Sequence, residues 1–291
     1  MSFPILLVLA FSPGVFWLWY FARKNVYRPG PRRLLALTFF AGMLVTIPVS
    51  IIEGLFLDES ILSDEATIAS VAVAMLLVVG PTEELSKFLA VRFTAYRSLY
   101  FDEPSDGLVY AAAASLGFAS LENLVYVLTF GPEVMILRAP LSTLAHVIFG
   151  SVWGYMLGSQ TQQEKSGFWL VAGGLALAAG VHAAFNVALF TIPLVALLIV
   201  IIGATWTIRR FHWAQRVSPF RYRRNLPRVR CVSCSRHIQV TSRYCRFCGS
   251  PVMQGRSPLF CSNCNASNRM DASYCTIVIP IHNRMISDEP S

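Results

Sequence analysis

The chain has 291 residues, of which 55% are hydrophobic and only 14% charged, and its formal net charge is +8. Soluble domains carry about 25% charged residues, so this composition excludes an ordinary water-soluble fold and points to a chain that lives largely in lipid.

Apolar stretches near the ~20 residues that cross a bilayer recur at roughly 4–22, 34–56, 67–92, 107–130, 134–158, 168–189 and 191–209. They predict an all-α polytopic membrane protein of about seven transmembrane helices, followed by a small Cys-rich tail. The first stretch opens Met1-Ser2-Phe3-Pro4 and ends Arg23-Lys24. A cleaved signal peptide carries its charge at the other end, so a retained helix is expected. Its following connector, Arg23 to Arg33, is strongly basic, whereas the next one, Asp58 to Glu65, is acidic and lacks Lys and Arg. Arg92 and Arg97 follow the third stretch, and Arg209 and Arg210 the last. By the positive-inside rule the N-terminus is expected outside the cell membrane and the C-terminus in the cytoplasm. Arg138, at the outer start of the fifth stretch, is the one residue out of place.

Beyond the membrane part (1–210) lies a basic linker (211–230); eight arginines fall between Arg209 and Arg230. Each basic residue near an anionic lipid surface is worth about 1 kcal/mol, and a lipid anchor is preferred over nucleic-acid binding. All seven cysteines follow it. Cys231-x-x-Cys234 and Cys245-x-x-Cys248 form two knuckles, the ligand set of a structural zinc, in a ribbon spanning 231–250. On the cytoplasmic side thiols stay reduced, which argues against disulfides. A second copy, 261–282, repeats Cys261, Cys264 and Cys275, but Val278 stands where a fourth cysteine is due. His282 is the only nearby substitute, so this copy is either a second zinc site or a damaged one. Modules this small need metal to fold; they make docking knobs for a cytoplasmic protein partner without naming it.

Within the membrane part, polar residues stand where lipid would forbid them. They are Glu83-Glu84-Leu85-Ser86-Lys87, Phe118 to Asn123, His146, and His182 to Asn186. An ionisable side chain at bilayer depth costs ~3 kcal/mol or more unless it meets a partner or a wet cavity. Phe118 and Glu122 share a helix face, as do His182 and Asn186. Glu83 and Glu84 point about 100° apart, so only one is expected to face the centre squarely. Lys87, one turn on, can balance Glu83 or snorkel to the interface. Pro81 is expected to kink or open its helix. Small residues, including Ala111 to Ala114, Gly117, Gly150, Gly154 and Gly158, allow close helix approach.

Glu83-Glu84-x-x-Lys87, Phe118-x-x-x-Glu122, a lone membrane His146 and His182-x-x-x-Asn186 together resemble the PrsW family of intramembrane proteases. Ser105-Asp106-Gly107 leading into Leu116-Gly117-Phe118 is similar to that family too. Related CAAX endopeptidases and bacteriocin-processing proteins typically show Glu-Glu-x-x-Arg and Phe-x-x-x-His, so Lys87 and Glu122 favour the PrsW branch. The resemblance covers roughly residues 1–210; the ribbons are an appendage. It implies cleavage of a membrane-anchored protein substrate, in the best-known case an anti-sigma factor.

Two schemes fit peptide hydrolysis. In the first, Glu83 or Glu84 is general base on a water, and His146 or His182 stabilises the oxyanion or protonates the leaving amine. In the second, Glu122, His146 and His182 hold a catalytic zinc and Glu84 activates its water. Lys87, Phe118, Asn123 and Asn186 are expected to support the site, Phe118 by lining it. Any one intramembrane His can be a simple interhelical hydrogen-bond donor; joint occurrence in this order carries the catalytic reading. The alternatives are a proton- or metal-coupled transporter, which also needs buried carboxylates and imidazoles, and a non-enzymatic scaffold recruiting partners through its ribbons. No inverted repeat supports a transporter.

Overall fold

The computed structural model describes residues 1–57, 66–162, 167–221, 228–239, 245, 247–248, 250, 259–260 and 267–268. The chain divides into two units, Met1–Arg221 and Tyr222–Ser291.

The described residues of the first unit form helices and their connections. Seven of its stretches are long and apolar enough to cross a membrane: Phe3–Lys24, Arg32–Phe56, Ile68–Thr94, Pro104–Phe130, Pro132–Ser159, Phe168–Thr191 and Pro193–Val217. The chain is therefore an integral membrane protein of the all-α class. Large apolar side chains such as Phe16, Leu44, Leu77, Trp169, Phe190 and Ile202 face outward, as a lipid-facing surface requires.

Five of the spans are single helices: α1 (Phe3–Lys24), α2 (Arg32–Phe56), α5 (Pro104–Phe130), α8 (Phe168–Thr191) and α9 (Pro193–Val217). Only Ile192 separates the last two, and it has left the helical region at φ −140°. The other two spans are broken. The third runs α3 (Ile68–Ala74), a π-helical segment Met75–Val79, then α4 (Gly80–Thr94). The fifth runs a 3-10 turn Pro132–Val134, the single turn α6 (Met135–Leu137), a π-helical segment Arg138–Ser142, then α7 (Thr143–Ser159). Each π segment has a proline in it or just after it, Pro140 and Pro81. A proline lacks the N–H of an i→i−4 bond and its ring crowds the preceding turn. The chain absorbs this by widening a turn, as π-bulges do, so the opening expected at Pro81 takes the form of a bulge.

Helix α5 is the axis of the bundle. It packs on α1, α2 and α7, and its residues Pro104 to Ser120 are buried without interruption. Small residues make this possible. A Cβ on Gly107 would lie 2.1 Å from Gly154 O, and one on Gly117 would lie 1.9 Å from Phe39 O. Backbones thus touch directly, the packing on which helix association in lipid relies. At one end of the bundle Asn25 Nδ2 donates to Asp106 Oδ1 (2.8 Å) and Ser218 donates to Glu103, fastening the ends of α1 and α9 to the start of α5. Glu103 lies just outside the span, and burial holds its carboxyl above the usual range.

Among the described residues the second unit has two short antiparallel strand pairs. Strand β1 (Arg228–Arg230) pairs with β2 (His237–Gln239), with Val229 opposite Ile238. Strand β3 (Leu259–Phe260) pairs with β4 (Ser267–Asn268). Between β1 and β2, Ser235 N donates to Cys231 O (2.9 Å), and Ser235 adopts φ 57°, the left-handed turn that brings a Cys-x-x-Cys pair round.

Candidate active site

Four spans deliver polar side chains to one buried centre. Lys87, with no exposed surface, lies in the middle of it. Its ammonium donates to Glu83 Oε2 (2.8 Å) and Glu84 Oε1 (2.9 Å), and its Nζ is 2.9 Å from His146 Nδ1. The ring of Phe118 lies beneath, 4.3 Å from Nζ. An ammonium has three donors and no lone pair, so His146 Nδ1 must accept and its proton sits on Nε2. That nitrogen lies 2.8 Å from Glu122 Oε2.

Glu84 is saturated. Its Oε1 takes Lys87 and His182 Nδ1 (3.1 Å), and its Oε2 accepts from Trp153 Nε1 (3.0 Å). His182 therefore carries its proton on Nδ1, which leaves the Nε2 lone pair 3.9 Å from Glu83 Oε2. The ring is held by stacking on Phe149 at 4.7 Å and edge-on contact with His146 at 5.3 Å. Glu122 is shared between His146 and Arg138, whose Nη2 is 2.9 Å away.

One expectation about single residues is corrected and one open choice is decided. Glu83 and Glu84 both turn inward, 4% and 1% exposed, because one ammonium reaches the i−3 and i−4 carboxylates together. Lys87 does not snorkel, since its partners lie inside the bundle. Glu83, Glu84, Glu122, His146 and His182 are brought together, with Lys87 and Phe118 among them. Asn123 stands one step outside: it donates to Thr143 Oγ1 (3.0 Å) and Ala10 O (3.4 Å) and accepts from Arg138 Nε (2.9 Å). Asn186, a turn beyond His182, donates to Met75 Sδ (3.8 Å). Trp153, Arg138 and Glu53 complete the picture and were not singled out from the sequence as site residues. Glu53 lies beside Thr82, whose hydroxyl is 3.5 Å from its Oε1. Trp153 offered no signal, being one apolar residue among many. Arg138 did offer one, an unexplained charge in a span.

Ligand atoms of Glu83, His146 and His182 lie within 4.8 Å of one another. That donor set, a carboxylate and two imidazoles, suits a divalent metal of the zinc type. It differs from the Glu122, His146, His182 set of the second scheme; Glu122 Oε2 lies against His146 Nε2 and Arg138 Nη2.

In the second unit Cys231, Cys234, Cys245 and Cys248 cluster in the same way. Sγ–Sγ distances are 3.7 Å for Cys231–Cys248 and 3.5 Å for Cys234–Cys245. These are too long for disulfides, whose S–S bond is about 2.05 Å. They match the ~3.8 Å edge of a tetrahedron built on Zn–S bonds of about 2.3 Å. Cys261, Cys264, Cys275 and His282 lie outside the described residues.

A seven-span helical membrane protein with a buried carboxylate–imidazole–ammonium centre is the class defined by this fold and site. The chain belongs to the PrsW family of intramembrane metalloproteases, whose family model matches residues 30–208. It is 37% identical over 147 residues to Protease PrsW of Geobacillus kaustophilus, covering 50% of this chain and 63% of that relative. It is 32% identical over 160 residues to Protease PrsW of Halalkalibacterium halodurans, covering 55% and 72%. To Protease PrsW of Bacillus subtilis it is 32% identical over 147 residues, covering 50% and 65%. The chain thus spans just under two thirds of the length of the Geobacillus relative. No solved structure matches it.

Proposed function

We propose that this chain is an intramembrane endopeptidase that hydrolyses a peptide bond in a membrane-anchored protein, of the anti-sigma-factor type. The observation that carries the reading is the convergence of Glu83, Glu84, His146 and His182 around one buried ammonium, in a chain that belongs to a protease family. Glu83 is the general base. Its Oε2 and His182 Nε2 are both acceptors 3.9 Å apart, a separation that one water donating to both can bridge. Glu84, saturated by its own partners, orients His182 by accepting its Nδ1 proton. His182 in this tautomer accepts a proton at Nε2 and can pass it to the leaving amine. Lys87 supplies positive charge where the oxyanion of the tetrahedral intermediate develops.

Glu83, His146 and His182 are also the residues that would hold a divalent metal, provided that the Lys87 ammonium, which now takes Glu83 Oε2 and His146 Nδ1, gave those atoms up. Bound there, a metal supplies Lewis-acid activation of water. In the tail, Cys231, Cys234, Cys245 and Cys248 hold a structural zinc. The units correspond to a protease core (1–210), a lipid-binding basic linker (211–230), a zinc ribbon (231–250) and a second, incomplete ribbon (261–282). The N-terminus faces outside and the C-terminus the cytoplasm.

The test is cleavage of a single-span reporter by the full chain in lipid nanodiscs. E83Q, which keeps shape and loses the base, should lower kcat by roughly 10²–10⁴-fold in a protein that still folds, because Glu84 remains as counter-ion to Lys87. Wild-type cleavage by E83Q would sink the assignment. No cleavage by a folded wild-type protein, with proton or metal flux in liposomes, would point to a transporter.

A further inference from the structure

Arg138 sits within the π-helical segment that opens α7, and three groups hold its guanidinium. Nε donates to Asn123 Oδ1 (2.9 Å), Nη2 lies 2.9 Å from Glu122 Oε2, and the ring of Tyr126 faces the cation at 3.7 Å. The surround is itself braced. Asn123 donates to Thr143 Oγ1, and that hydroxyl donates back to Arg138 O at 2.9 Å. Both charged side chains are largely withdrawn from the surface, 12% exposed for Arg138 and 20% for Glu122. The same Oε2 of Glu122 that meets Arg138 also meets His146 Nε2, and the other nitrogen of that ring faces the Lys87 ammonium.

We propose that Arg138 is a positioning residue for the reaction centre: acting through Glu122, it fixes His146 as the Nε2–H tautomer with its Nδ1 lone pair aimed at the Lys87 ammonium. Without the guanidinium, Glu122 loses the partner that anchors it on the side away from His146. The carboxylate can then rotate, and the ring is free to take the other tautomer or turn its lone pair away. In that form the ring meets the Lys87 ammonium with an N–H, so that two donors face each other with no acceptor between them. What His146 does in the reaction rests on the peptidase reading; which of its nitrogens carries the proton does not.

The experiment uses the full chain in nanodiscs with 15N-labelled histidine, the His146 signals being assigned by their loss in H146N. Wild type should show His146 protonated on Nε2 alone. R138Q should show a mixture of tautomers, with kcat down about 10–100-fold, as for loss of a residue that orients a ligand, and KM little changed. Because Arg138 acts through Glu122, R138Q/E122Q should be no slower than E122Q. A wild-type His146 spectrum and wild-type kcat in R138Q overturn the proposal, as do losses that multiply in the double variant. If R138Q does not hold its thermal melt, R138Q/E122Q, which removes both charges together, is read against E122Q: equal spectra and rates support the proposal, a further change overturns it. If wild type cleaves nothing, the peptidase reading fails, and the spectra still decide the tautomer.

Discussion

Lys87 is the residue on which the centre depends, because it is a full charge with no exposed surface and two carboxylate partners. Removing one member of a buried ion pair leaves the others desolvated and unpaired, at a cost of about 3–5 kcal/mol. K87M should therefore lower the thermal midpoint sharply, and K87M/E83Q/E84Q should recover most of the loss, because no unpaired charge remains. A K87M melt equal to wild type would show that the carboxylates are not charged in the folded protein. Spacing alone placed Lys87 one turn after Glu83 and left balancing and snorkelling open. The choice between them depended on His146 and Phe118, which come from other spans, so it could not be made along one helix. Arg138 shows the same limit from the other side. As a topology signal it is an anomaly, and as a partner of Glu122 it is ordinary.

At the scale of elements, beside the unbroken α5 and α8, the two broken spans both supply the site. Each has a π segment with an associated proline, and each then supplies site residues within its first turn or so: Glu83 and Glu84 on α4, His146 on α7. An opening at Pro81 was legible because proline removes a donor wherever it stands. That the same device recurs at Pro140 was not, since nothing local separates a bulge there from a plain helix start. The helix glycines make the element-scale prediction. G107A places a Cβ 2.1 Å from backbone of α7, so helices must part, and a destabilisation of about 1–3 kcal/mol is expected. G173A meets nothing within 4 Å and should be neutral or gain up to about 1 kcal/mol in helix propensity. Thermal melts of the two variants side by side check this; equal shifts would mean that α5 and α7 are not in backbone contact.

At the scale of the molecule, the two units should come apart in their response to metal removal. Among the described residues of the Cys231–Cys248 unit, Cys231, Ile238 and Cys245 form the buried core, and a module this small needs a metal to hold its fold. Chelation of the full chain should release about one zinc per ribbon able to bind it and render residues 231–250 sensitive to protease, while the helical unit keeps its melt. Release of no metal from fresh protein, with the tail already resistant, would remove zinc from the account of the tail. Activity followed in the same samples tests whether the membrane centre also needs a metal.

Seven spans, their approximate ends, the paired Cys-x-x-Cys knuckles and the polar residues of the centre were determined by the sequence alone, because each is a local property: a run of apolar residues, a ligand spacing, a charge where lipid forbids one. The family could be recognised for the same reason, from motifs contained within single helices. Which carboxylate oxygen meets which nitrogen was decided only by the tertiary structure. It turned both Glu83 and Glu84 inward, drew Trp153 onto Glu84 and gave Glu122 to Arg138. It also brought Glu83 near both histidines and set Glu122 against His146. Those outcomes depend on the rotation and depth of four helices packed on one another, and no single helix carries that information.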